Sequence, residues 1–150
     1  MEQPGLLDLS TPLAVRCRSP SVAQHRGIVL VVDDELMTRH VLGGWLSKAG
    51  YTVKAAADGR EAMEVVSRMV PDLIVLDLMM PAMTGFEVLG ALRTNKDWSD
   101  IPVIVLTATM GYSAGHLDVD AVLYKPFDAV DVEDAILVAL ESSRKKREKR

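Results

Sequence analysis

Residues 71–85 read PDLIVLDLMMPAMTG, and no other stretch restricts the possible folds as much. Leu73, Ile74, Val75 and Leu76 form an unbroken apolar run, the pattern of a parallel strand covered on both faces. The run delivers one carboxylate, Asp77, and is then broken at Pro81 and Gly85. In an open α/β sheet, ligands bind outside the carboxyl ends of the strands. An acid at the last step of a buried strand therefore stands where a ligand can reach it. Taken alone, Asp77 is more simply an Asp that ends a strand or caps the next helix.

The surrounding chain supplies four more units of the same kind. Ile28–Val32 is an apolar strand ending in Asp33-Asp34-Glu35, and residues 35–49 carry a helical period through Leu42 and Leu46 that stops at Gly50. Residues 51–55 form a second strand, and Asp58 caps a helix carrying Ala62, Val65, Val66 and Met69 that Pro71 ends. Residues 85–94 supply the helix after the Asp77 strand. A fourth strand, residues 102–106, leads to Thr107, and a short fifth, residues 120–124, leads to Lys125-Pro126. Asp128 caps a last amphipathic helix through Leu140. Strands alternating with helices predict a parallel sheet with right-handed crossovers. Residues 1–26 hold three prolines and no sustained period, which predicts a flexible extension before a domain over 27–143. Gly43-Gly44 interrupts the first helix at about 1 kcal/mol per glycine, either for close packing or at the expense of helix strength.

Charge and cysteine content narrow the function classes. Six of the last seven residues are basic, so a tail over 144–150 offsets a strongly acidic domain. Seven residues without an aromatic make a poor nucleic-acid reader, and cations there complement a helix dipole. No nucleic-acid contact is expected of this chain, and no apolar run suffices to insert in a membrane. Cys17 is the only cysteine, which excludes an internal disulfide and a Cys-based metal site and suits a cytoplasmic setting.

Asp33, Asp34, Asp77, Thr107 and Lys125 all stand at carboxyl ends of strands, so a parallel sheet gathers them along one edge. Clustered carboxylates raise one another's pKa, and Mg²⁺ relieves this through carboxylates, waters and phosphate oxygens. Lys125 adds a point charge and Thr107 a hydroxyl, both suited to phosphoryl oxygens. Each residue alone has an ordinary role as a cap or solvated charge. Together they describe phosphoryl transfer onto a carboxylate, with Asp as the covalent nucleophile.

VVDDE (31–35), AGY (49–51), PDLIVLDLMMPAMTGFEVL (71–89), IPVIVLTA (101–108) and YKPF (124–127) resemble, in order and spacing, the receiver domain of two-component response regulators. The resemblance covers roughly residues 28–140. It implies a flavodoxin-like, doubly wound five-stranded parallel sheet of strand order 2-1-3-4-5. It also implies that Asp77 accepts phosphate from a histidine kinase or histidine phosphotransfer protein. Asp34, Asp77 and the backbone carbonyl of Met79 would ligate Mg²⁺, with Asp33 assisting through water. Thr107 and Lys125 would hold the phosphoryl oxygens.

Two departures from the family pattern concern signal transmission. Thr107 and Lys125 stand about four residues closer than in typical receivers, roughly one helical turn. With Gly111 and Gly115 in the gap, the fourth helix is expected to be shortened or irregular, and the response to appear in residues 110–119. Val122 stands where receivers usually carry an aromatic, and Tyr124 lies two positions on, on the same strand face. Trp45 shares a flank of the first helix with Thr38 and Val41 and is either a donor-docking residue or core.

The leading expectation is a stand-alone receiver, monomeric or weakly dimeric, that switches binding to a downstream protein and catalyses only its own phosphorylation and dephosphorylation. A haloacid-dehalogenase-like hydrolase would need an acid two residues after the nucleophile, where Met79 stands. A flavin carrier would need a phosphate loop where Asp33-Asp34-Glu35 stands. A phosphorylation-independent interaction module is the remaining alternative.

Overall fold

The computed structural model describes residues 26–149. Five strands, β1 (Ile28–Val32), β2 (Thr52–Ala56), β3 (Leu73–Asp77), β4 (Val103–Thr107) and β5 (Ala121–Tyr124), pair in parallel in the order β2-β1-β3-β4-β5. Helices α1 (Leu36–Lys48), α2 (Gly59–Arg68), α3 (Gly85–Thr94), α4 (Ala114–Leu117) and α5 (Ala129–Glu148) follow the strands in turn. This is the flavodoxin-like, doubly wound order 2-1-3-4-5.

Side chains alternate across the sheet into two cores, as strand geometry requires. Leu30, Val32, Ile74, Leu76, Val103 and Val105 pack against Val66 of α2 and Val88 and Leu92 of α3. Val29, Val31, Val75, Ile104 and Leu106 pack against Leu42 and Leu46 of α1 and Val132 and Ile136 of α5. β3 and β4 are buried along their whole length, whereas the edge strand β2 is mostly open to solvent. That is why the central strands read as continuous apolar runs and β2 does not.

The register brings the strand ends level. Val32 pairs with Leu76, Asp77 with Leu106 and Thr107 with Tyr124, so the residues that follow converge on one edge. Helix α3 starts against that edge through a capping box between Thr84 and Glu87. A Cβ on Gly85 would lie 2.2 Å from the Asp77 carbonyl oxygen, so only glycine lets α3 abut the end of β3.

Element limits differ from the sequence reading by a residue in places, with Thr107 inside β4 rather than after it. Glu35 stands at the cap of α1 with no side-chain cap bond, so neither Asp33 nor Asp34 caps that helix. Helix α4 is one turn, opened by Ser113 and closed by Asp118 in the left-handed conformation. Helix α5 runs past Leu140 and includes most of the basic segment, since Arg144 pairs with Glu141 and Glu148 along its surface. Lys146 and Ser142 also reach Asp120 at 3.3 and 3.0 Å, tying the end of α5 to the start of β5. No close packing explains the glycine pair in α1: a Cβ on Gly43 would meet only Val53 at 3.8 Å, and one on Gly44 meets open space. The proposed extension over 1–26 lies outside the described residues except for Arg26, whose N–H donates to the Gly50 carbonyl at 2.9 Å.

Candidate functional site

At the carboxyl edge of the sheet, Asp33, Asp34 and Asp77 bring carboxylate oxygens within 4.8 Å of one another. Asp33 follows β1, Asp77 ends β3, and both are buried, while Asp34 faces solvent. Asp33 Oδ1 accepts the Glu35 N–H at 2.9 Å, and its backbone carbonyl accepts from Arg39 at 2.8 Å. Lys125, carried by the end of β5, places Nζ 3.0 Å from Asp33 Oδ2 and 3.7 Å from Asp77 Oδ1. The Met79 N–H donates to Asp77 Oδ1 at 3.3 Å.

These neighbours set the protonation chemistry. Burial first, and then the Asp33 charge, push the Asp77 carboxyl up to about 6, against the pull of Lys125 and the Met79 N–H. For Lys125, burial opposes the charge, but the hydrogen bond and charge of Asp33, with Asp77 and Glu35, hold its pKa above the ordinary lysine value. At neutral pH the site is thus an ionised Asp77 facing a protonated Lys125. A cavity of about 230 Å³ opens on it, lined by Asp33, Asp34, Asp77, Met79, Thr109 and Lys125, among others. Clustered hard oxygen donors on an open cavity fit a small divalent cation that keeps several waters.

Thr107 is gathered at the same edge but does not line that cavity. It is 1% exposed, and its hydroxyl accepts the Thr109 N–H at 3.0 Å while facing the Thr109 carbonyl at 3.4 Å. Thr109, which the sequence reading passed over, covers it. The signal was present as Thr-Ala-Thr, since a threonine hydroxyl commonly bonds the backbone two residues on. Arg39 was also passed over, and its contact with the Asp33 carbonyl carries no local motif. Trp45 lies away from the cavity, half-buried, with its ring edge-on to Phe127 at 6.3 Å between centroids.

A family model described as the response regulator receiver domain matches residues 29–137. The chain belongs to the response regulator receiver family. The receiver is 42% identical over 112 residues to "Probable transcriptional regulator ycf27" of Porphyridium aerugineum, which covers 72% of this chain and 45% of the relative. It is 44% identical over 103 residues to "Response regulator MprA" of Mycolicibacterium vanbaalenii, covering 66% of this chain and 44% of the relative. The chain thus spans under half the length of these curated relatives. Among solved structures, chemotaxis protein CheY4 of Vibrio cholerae superposes with a TM-score of 0.70 at 32% identity, covering 75% of this receiver and 97% of that chain. Among the described residues, no helix is long and apolar enough to cross a membrane.

Proposed function

We propose that this receiver accepts a phosphoryl group on Asp77 from a histidine kinase or histidine phosphotransfer protein, and that phosphorylation changes its affinity for a downstream protein. The observation that carries the proposal is the convergence of three carboxylates and Lys125 from the ends of three strands on one cavity. With a pKa near 6, Asp77 is ionised at neutral pH and remains a nucleophile. A carboxylate oxygen of Asp77 attacks the phosphorus of the donor phosphohistidine, an O–P bond forms, the P–N bond breaks, and the released imidazole takes a proton from solvent. The Lys125 ammonium faces the attacking carboxylate and offsets charge on the non-bridging oxygens.

Asp34, Asp77 and the Met79 carbonyl would hold Mg²⁺, with Asp33 acting through water. When bound, Mg²⁺ supplies charge compensation for the carboxylates and the incoming phosphoryl oxygens. The domain acts on no substrate besides itself and its donor, and such a donor fits the cytoplasmic setting expected from the sequence. The relatives named as transcriptional regulators make a nucleic-acid-binding effector compatible with the family, so the sequence expectation of no nucleic-acid partner for this chain is not supported by them.

Incubation with a small phosphodonor and Mg²⁺, followed by intact-mass measurement, tests the proposal. One phosphoryl adduct is expected on the wild type and none on Asp77→Asn. An adduct on the variant overturns the assignment. Continuous phosphate release would indicate a hydrolase, and no reaction a phosphorylation-independent interaction module.

A further inference from the structure

Asp33 has a partner at each of its polar atoms. Its N–H donates to the Ala56 carbonyl of β2 at 3.1 Å, and its carboxylate oxygens accept the Glu35 N–H and the Lys125 ammonium at 2.9 and 3.0 Å. Its backbone carbonyl accepts from the Arg39 guanidinium at 2.8 Å. The first three contacts belong to the sheet, the turn and the site. The fourth comes from a side chain of α1, six residues on, that does not line the cavity.

That carbonyl governs the next residue. The Asp33 carbonyl and the N and Cα of Asp34 share one rigid peptide plane, so whatever holds the oxygen fixes where Asp34 starts. Burial walls in the carboxylates of Asp33 and Asp77, but Asp34 is exposed, and its carboxylate reaches the other two from its backbone rather than from a surrounding core. Little else secures the turn. Glu35 at the cap of α1 makes no side-chain cap bond, and its carboxylate accepts instead from the Thr38 hydroxyl at 2.7 Å. Arg39 is itself anchored, with its backbone N–H donating to the Glu35 carbonyl at 3.2 Å. Its guanidinium thus ties the first turn of α1 to the peptide that sets the direction of Asp34.

We infer that Arg39 is a positioning residue for the metal site: by binding the Asp33 carbonyl it holds the β1–α1 turn so that the Asp34 carboxylate faces the cavity beside Asp77. This rests on the reading of Asp34 as a Mg²⁺ ligand given above. Charge alone predicts the opposite sign. A guanidinium near three carboxylates repels a divalent cation, so its removal would tighten Mg²⁺ binding. Loss of a positioning bond loosens it, and a partner behind a metal ligand typically carries about ten- to a hundredfold in affinity.

Arg39→Met removes every donor while keeping an unbranched stem and a helix propensity near that of arginine. Calorimetric titration should show Mg²⁺ binding weakened by about tenfold, with Arg39→Lys falling between because it retains one ammonium donor. Phosphorylation from a small donor should still reach the wild-type rate at saturating Mg²⁺, with half-saturation moved to about tenfold more metal. Without metal, hydrogen exchange of the amides at 34–38 should accelerate in Arg39→Met. Unchanged or tighter Mg²⁺ binding overturns the positioning role, as does a saturated rate that falls while half-saturation stays in place. Unaltered exchange at 34–38 overturns the hold on the turn. A wild-type chain that binds no Mg²⁺ overturns the metal reading itself, an outcome the metal-free exchange measurement keeps distinct.

Discussion

Asp77 is held out of water beside Asp33, and its carboxyl therefore binds a proton more tightly in the folded chain than in the unfolded one, at about 6 against an ordinary 3.8. Between those values the folded state carries the extra proton, so metal-free stability contributed by this group falls as pH rises from about 4 to 6. It is fully present below the unfolded value and lost above the folded one. At about 1.4 kcal/mol per pKa unit, the loss reaches roughly 2–3 kcal/mol. Asp77→Asn removes the titration while keeping the shape. Urea unfolding without metal should show the variant gaining stability over the wild type by up to that amount at pH 7, with the gain shrinking towards pH 4. A difference that does not change with pH would mean that burial and Asp33 do not govern this carboxyl. Comparing the two chains at each pH cancels groups that titrate alike in both.

Space requires the glycine that opens α3 but not the glycine pair in α1, and alanine distinguishes them. Gly85 lets α3 begin against the Asp77 carbonyl, where an added Cβ would sit 2.2 Å from a backbone oxygen. Gly85→Ala must push α3 away from the end of β3, and is expected to cost about 3 kcal/mol in denaturant unfolding. Gly44 meets nothing within 4 Å, so Gly44→Ala should instead stabilise by about 0.5–1 kcal/mol through the unfolded chain and helix propensity. Thermal melting orders the three proteins as Gly44→Ala, wild type, Gly85→Ala. The reverse order would place the critical glycine in α1 rather than at the site.

Across the whole molecule, the two ends of the sheet bear different loads. At the amino end of β4 and β5, Asp120 accepts the Val103 N–H at 2.9 Å and the Ser142 hydroxyl at 3.0 Å, and faces Arg93 of α3 at 3.6 Å. That network joins α3, β4, β5 and α5 with its charges paired. At the carboxyl end, Asp33, Asp34 and Asp77, with Glu35 beside them, face Lys125 as the one cationic side chain among the described residues that line the cavity. Mg²⁺ should therefore stabilise the fold, by about 1.4 kcal/mol when free metal is ten times the dissociation constant. Asp34 is exposed, so Asp34→Ala should leave the core intact and remove most of the Mg²⁺ effect on the melting temperature. A Mg²⁺ response equal to wild type in Asp34→Ala would count against the metal site as proposed.

The fold and most of the site were legible in the sequence because both depend on period and position. The unbroken run Leu73–Leu76 specifies a strand covered on both faces, and a parallel sheet then delivers whatever follows each strand to one edge. Asp33, Asp34, Asp77 and Lys125 reach the cavity on that ground, and the short interval between Thr107 and Lys125 leaves room for one turn of α4. Hydrogen-bond partners and exposure across sequence distance are not carried by period. That Lys125 sits nearer to Asp33 than to Asp77, that Thr109 covers Thr107, and that the Tyr124 hydroxyl reaches Tyr112 are decided by side-chain direction and loop path. The basic residues at the end of α5 extend the helix, as the helix-dipole reading of the sequence expected, with Glu141 and Glu148 one turn either side of Arg144. The Lys146 contact with Asp120 is set by tertiary structure. The sequence determined which residues meet at the sheet edge. Tertiary structure decided which of them face the cavity, because that depends on contacts between elements far apart in the chain.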